Sequence, residues 1–142
     1  MEYPPYIYYR TPQEYEEHFH RIYCCRTIDT FDGISVRFRK TDFYHCFFES
    51  SKRDKKKDKF SIKRAEKIDW IKATLQDTDA DLRVGWDSES KDYKMNRRVA
   101  LVKGNYVVIV QVKRNMKEAI FITAFVAEGD SLRKILAGPK WK

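Results

Sequence analysis

The sequence predicts an α+β domain, with N-terminal helices packed on a mainly antiparallel β-sheet. Three observations carry that prediction. Thr11-Pro12-Gln13-Glu14 has the order of a helix start, Ser61 opens a second amphipathic run, and the last third of the chain alternates strands with tight turns. Neither an internal repeat nor a linker interrupts the 142 residues, so one domain is expected. Within it, residues 1–41 read as an arm, a helix and a hairpin that enlarge a core built by residues 42–137.

Residues 1–10 are rich in Tyr and Pro and lack helical periodicity, which predicts an extended arm laid over the domain. Thr11 then caps a helix with proline at its first position and glutamate at its third. That helix runs to about Cys25, and Tyr15, Phe19, Ile22 and Tyr23 share one apolar stripe. Residues 27–39 read as a β-hairpin turning at Asp32-Gly33, with Ile34, Val36 and Phe38 inward and Ser35, Arg37 and Arg39 outward.

The stretch from Asp42 to Trp70 organises the rest. Phe43-Tyr44-His45-Cys46-Phe47-Phe48 reads as an aromatic strand, and residues 50–59 as a solvated basic loop. Ser61 caps a helix that continues to about Gln76, with Arg64 on the same stripe as Ile68, Ile71 and Leu75. A guanidinium on that stripe needs a carboxylate partner or a cleft edge open to an anion. Residues 77–81 form an acidic turn that lacks the glycine and closing glutamate of a calcium loop.

Leu82 to Trp86 reads as a short strand, and Asp87 to Met95 as a flexible polar connection. A meander follows: Arg98–Lys103, a Gly104-Asn105 turn, Tyr106–Lys113, another turn, and Ala119–Val126. Val107-Val108-Ile109-Val110 is apolar without alternation, as a strand covered on both faces would be. Asp130-Ser131 opens a last helix, stopped by Gly138-Pro139.

Composition narrows the function. The charge is +8, from 29 Lys and Arg against 21 Asp and Glu, which favours a polyanionic partner. No apolar run approaches the roughly 20 residues that span a bilayer, and the first residues lack a signal peptide's basic-then-apolar order. A cytoplasmic protein that does not engage a membrane is expected. Cys24, Cys25 and Cys46 are odd in number and have no CxxC spacing, so reduced thiols are expected rather than a disulfide framework or a zinc site.

Phosphate loops, HExxH, GxSxG and dinucleotide fingerprints are all missing from the sequence, which sets aside the chemistries they serve. What stands out is three polar residues placed among apolar neighbours. His45 lies between Phe43 and Phe47, Thr123 between Phe121 and Phe125, and Arg64 on the helix stripe. Together they suit metal-independent RNA cleavage, in which the RNA's own 2′-hydroxyl attacks and no cofactor is needed. Histidine moves the proton, arginine stabilises charge on the phosphate, and a hydroxyl orients it. Lys59, Lys63, Arg97 and Arg98 would steer RNA, and Tyr106 would stack on a base. His18 and His20, two apart on the first helix, are not expected to share a face, and His20 is expected at the surface.

Three segments also resemble a known family. They are Tyr44-His45-Cys46-Phe47-Phe48, the run Lys63-Arg64-Ala65-Glu66-Lys67-Ile68-Asp69-Trp70-Ile71, and Ile122-Thr123-Ala124-Phe125. These look like the phage and mobile-element branch of the barnase/EndoU/colicin/RelE-like (BECR-fold) nucleases. The resemblance covers about Phe43 to Leu136 and implies helices on a four-stranded antiparallel sheet, with His45, Arg64 and Thr123 as catalytic residues. The sequence departs from the family in having no second sheet histidine and no clear catalytic glutamate. Either Arg97 or Arg98 fills that role, or activity has been lost. On this reading RNA is the partner, and a cognate inhibitor protein is a second candidate partner. The rival expectation is a non-catalytic module that binds nucleic acid or protein with the same basic surface.

Overall fold

Thr11 opens the first helix as its spacing predicts. Its hydroxyl accepts the Glu14 amide at 3.3 Å, and the Glu14 carboxylate accepts the Thr11 amide at 3.2 Å. The computed structural model describes residues 2–50, 58–84, 86–87, 92–93 and 98–140. In it α1 (Pro12–Phe19) runs on into a π-helical turn, His20–Cys24. Tyr15, Phe19 and Tyr23, four residues apart, are buried along one line.

The protein is α+β. Its main sheet has six strands in the order β1-β2-β10-β9-β8-β5: β1 (Ile28–Asp29), β2 (Ser35–Arg37), β5 (Asp81–Val84), β8 (Arg98–Lys103), β9 (Tyr106–Val112) and β10 (Glu118–Val126). All pairs are antiparallel except β2 with β10. The predicted hairpins form, with φ +90° at Gly33 and +63° at Gly104, backbone that glycine adopts without cost. Two short pairs stand apart: β3 (Phe48–Glu49) with β4 (Lys59–Phe60), and β6 (Trp86–Asp87) with β7 (Asp92–Tyr93). The second pair falls within the polar connection expected over residues 87–95, of which residues 88–91 and 94–95 lie outside the described residues.

The central strand β9 is covered on both faces. Val108, Val110 and Val112 join the larger core with Phe19, Phe47, Ile71 and Phe121. Val107 and Ile109 join a smaller one under α5 (Gly129–Leu136), with Ala100, Val102 and Ile135. Burying a side chain such as Phe121 or Ile71, each at 0 % exposure, contributes about 1.5–3 kcal/mol. Residues of the N-terminal third, Tyr15 to Phe38, lie in this larger core, so they are part of the sheet's packing and not an addition to it.

Two expected elements are corrected. Phe43–Phe48 is not a strand: α2 (Asp42–Phe47) is a helix. Phe43, Cys46 and Phe47 point inward at 1 %, 0 % and 1 % exposure, the i, i+3, i+4 spacing of a helix face, while Tyr44 and His45 are exposed. The helix expected from Ser61 to Gln76 is two segments, α3 (Ile62–Ala65) and α4 (Ile68–Leu75). The Glu66 carbonyl accepts the Ile7 amide of the arm at 2.9 Å, and the Trp70 amide turns to Lys67 at 2.9 Å. The arm thus takes the carbonyl that would have continued the helix.

A second insertion lies deeper. The Tyr23 hydroxyl donates to the Ile68 carbonyl at 2.6 Å and accepts the Lys72 amide at 3.0 Å, bridging a rung of α4. Most of the basic loop, residues 51–57, lies outside the described residues. Among the described residues no helix is long and apolar enough to cross a membrane. The cysteines are free thiols, with Cys46 buried against the Ala124 carbonyl and burial pushing the Cys24 thiol up to about 11.

Lys103 ties the turn after α4 to the sheet. Its ammonium is buried against the Asp77 carboxylate and lies 5.4 Å from the Tyr3 ring centre. The hydrogen bond from Lys103 holds the Asp77 carboxyl below its usual range. A lowered folded-state value means the stabilisation is present above the ordinary aspartate range and lost as pH falls through the folded one. Lys103→Met should therefore cost about 1–3 kcal/mol at pH 7 in urea unfolding. The gap to wild type should close below about pH 4.

Candidate nucleic-acid interface

A cleft of about 630 Å³ opens where the arm, α3, the start of α4 and the ends of β9 and β10 meet. Its volume lies in the range of sites that hold a small molecule or one nucleotide. The helical wall carries Lys63, Arg64 and Lys67, with Tyr6 and Trp70 beside them. The opposite rim is Asn105 and Glu128, brought together by the Ala127 amide donating to the Asn105 carbonyl at 2.8 Å. Tyr106, next to Asn105 in the chain, also lines the cleft.

The aromatic wall is fixed by one indole. Trp70 Nε1 donates to the Pro4 carbonyl at 2.8 Å, and the Tyr3 ring stacks on it at 4.0 Å and 12°. Tyr6 lies at 5.4 Å and 22° from Trp70 and is 47 % exposed, so its ring is the surface offered to a ligand. The Lys67 ammonium sits 5.4 Å from the Tyr6 ring centre and 5.7 Å from that of Trp70. It also donates to the Lys63 carbonyl at 2.6 Å and pairs with Glu66 at 3.2 Å.

Arg64 is placed by the Ser61 cap, whose hydroxyl accepts the Arg64 amide at 3.3 Å. Its Nη1 donates to the Cys46 carbonyl at 3.3 Å, and its Nε lies 3.3 Å from the Glu49 carboxylate. Both members of that ion pair are more than a third exposed, so the pair itself contributes little and an incoming phosphate can compete for it. A guanidinium has five donors, more than these two contacts use.

Of the residues expected from sequence, Lys63, Arg64 and Tyr106 meet at this cleft. His45 does not line it and sits on the exposed side of α2. Thr123 is on the other face of the sheet. A bulge between Phe121 and Thr123 shifts the register, so Thr123 pairs with Ile109 of the smaller core while Phe121 pairs with Val110 of the larger one. His45, Arg64 and Thr123 therefore do not form one catalytic group. Lys59 pairs across from Glu49 beside the cleft. Arg98 opens β8, about 17 Å of strand away from the Lys103–Tyr106 end, and Arg97 lies outside the described residues.

Sequence reasoning missed Tyr6, Lys67, Trp70, Glu49 and Glu128. One signal was available: Lys63, Lys67 and Trp70 fall at i, i+4 and i+7. His18, given no role from the sequence, has a structural one. It is buried, with Nε2 2.7 Å from the Asp69 carboxylate and Nδ1 2.9 Å from the Tyr9 hydroxyl, and so clasps the arm to α4. His20 is half-buried, not at the surface, with Nε2 4.0 Å from Glu16. No family model, curated protein or solved structure matches the chain.

Tyr106 is 2 % exposed, so its ring is not free to stack on a base; it packs edge-on against Trp70 at 5.4 Å. Its hydroxyl has no hydrogen-bond partner among the described residues, and burial holds the phenol well above its ordinary value, so it stays a neutral donor at the cleft. Tyr106→Phe should leave thermal stability unchanged or raised. Tyr23→Phe, which strands the Ile68 carbonyl and the Lys72 amide, should cost about 1–3 kcal/mol. Paired melts of the two variants check the contrast.

Proposed function

We propose that this protein is a nucleic-acid-binding module that holds an unpaired stretch of RNA in the cleft. The observation that carries the reading is the alternation of cations with an exposed ring. Lys63, Arg64 and Lys67 stand within one concave wall beside Tyr6, whose face is backed by Trp70. Single-stranded nucleic acid is bound by that combination, with cations following the phosphates and rings stacking on bases. A phosphate would take the Arg64 guanidinium in place of Glu49 and accept from the Tyr106 hydroxyl. The base would lie on Tyr6.

Binding is favoured over cleavage because the proton-transfer histidine and the orienting threonine of the nuclease reading lie on other surfaces. The carboxylates at the cleft are Glu49, paired with Arg64, and Glu128. The net charge of +8 supplies the long-range attraction.

Fluorescence anisotropy with a labelled pyrimidine oligonucleotide, over stepped salt, tests this. Binding should weaken steeply with salt, and the combined Lys63→Ala, Arg64→Ala variant should flatten the log–log slope by about 1.4, at about 0.7 per phosphate on a single strand. Tyr6→Ala should cost about 1–3 kcal/mol of affinity. His45→Ala should bind as wild type does. The same samples should keep their RNA ends intact, and new cyclic-phosphate ends would return the protein to the nuclease reading. No binding at low salt would overturn both.

A further inference from the structure

Around α4 from the cleft, Arg21, Arg26 and Lys72 border a groove of about 360 Å³. It forms where the π-helical end of α1, the segment leading into β1 and the last turn of α4 meet, and Thr27 and Gln76 add a hydroxyl and an amide. All five of these residues are exposed. No carboxylate pairs with the three cations among the described residues. The groove's own acid, Asp29, accepts the Ser35 hydroxyl at 2.7 Å. Elsewhere the chain matches cations with acids, as in Arg39–Asp42, Arg83–Asp81, Lys103–Asp77 and Arg133–Asp130.

Helix ends account for part of this charge. Arg21 and Lys72 lie in last turns, where a cation complements the partial negative charge of the carbonyls. Arg26 lies beyond both helices, and three full charges exceed what two half-charges call for.

The groove is not isolated from the cleft. A shallower hollow of about 350 Å³ shares Ile22, Lys72 and Gln76 with it and reaches Pro4, whose carbonyl holds the cleft's Trp70. The cleft's Trp70 and the groove's Lys72 are on opposite sides of α4, so a strand that joins them passes round the helix beside the arm at Pro4. Lys67, the N-cap of α4, lines the cleft and Gln76, its C-cap, borders the groove; the nine residue steps between them advance about 14 Å at the helical rise, and the passage round the helix adds to that length. It accommodates a few nucleotides of a single strand.

We infer that this groove is a second contact for the same strand, with Arg21, Arg26 and Lys72 holding its phosphates after it leaves the cleft. The inference rests on the cleft reading above. Among the described residues the groove offers no exposed ring, since Tyr23 beneath it is fully buried, so it holds backbone and carries no base preference of its own. The strand enters the cleft through one nucleotide, which the rings select, and is then retained by charge alone.

The test is amide-shift mapping with RNA oligonucleotides of about three and about ten nucleotides, lengths that bracket a single-strand site. The short one should shift only amides around residues 63–70 and 104–106. The long one should also shift those around 26–29 and 72–76. Arg21→Gln with Arg26→Gln, at exposed positions without ion pairs, should leave the short oligonucleotide's affinity unchanged. For the long one it should lower affinity about tenfold at 0.1 M salt and flatten the salt slope by about 1.4.

Shifts confined to the cleft with the long oligonucleotide, or an unaltered slope in the double variant, would overturn the groove and leave the cleft reading standing. An absence of cleft shifts with both lengths would overturn the cleft reading, and with it a strand shared between the two.

Discussion

The fold and the cleft both depend on the environment of Trp70. An indole packed at 8 % exposure needs a partner for its N–H, and the Pro4 carbonyl supplies it. That bond fixes the arm, the arm's Tyr3 covers the ring, and Tyr6 is left facing the cleft. On the other side Tyr106 meets the indole edge-on, which sets the spacing between α4 and β9. The same arm removes the Glu66 carbonyl from its helix and so creates the break at which Lys67 turns over the rings. A single buried donor therefore links the N-terminal segment, the helix break and the shape of the site.

Much of the architecture could be read from local chemistry. The capping box at Thr11, the Asp-Gly hairpin and the unalternating run of β9 are each decided by a few neighbouring residues, and each formed as the sequence implies. The aromatic run at residues 43–48 was misread because aromatics favour strands in general, whereas here the burial of Phe43, Cys46 and Phe47 selects a helix too short for periodicity to stand out. Thr123 was misplaced for a different reason. Alternation predicts a face only while the register holds, and one inserted residue on β10 reverses every assignment beyond it.

The site was legible in its cations and not in its rings. Lys63 and Arg64 follow from a helix stripe, but Tyr6 lies more than fifty residues away in a segment with no period of its own. Only the completed fold places it there. The two buried networks near the site, His18 with Asp69 and Tyr9, and Tyr23 with the α4 backbone, satisfy their polar atoms within the protein. The Tyr106 hydroxyl has no such partner among the described residues, and that difference separates a structural phenol from one available to a ligand.

The parallel pairing of β2 with β10 has a consequence for how the chain comes to be folded. Ser35 to Arg37 register against Glu118 to Ile120, across more than eighty residues. During synthesis the first hairpin emerges long before the strand that receives it, and its buried face, including Val36 and Phe38, has no cover until then. Such long-range closure slows folding and leaves apolar surface exposed in the interval. The helix preceding that hairpin brings Phe19 and Tyr23 against Phe38, a local cluster able to shield the nascent hairpin while the rest of the sheet is still being made.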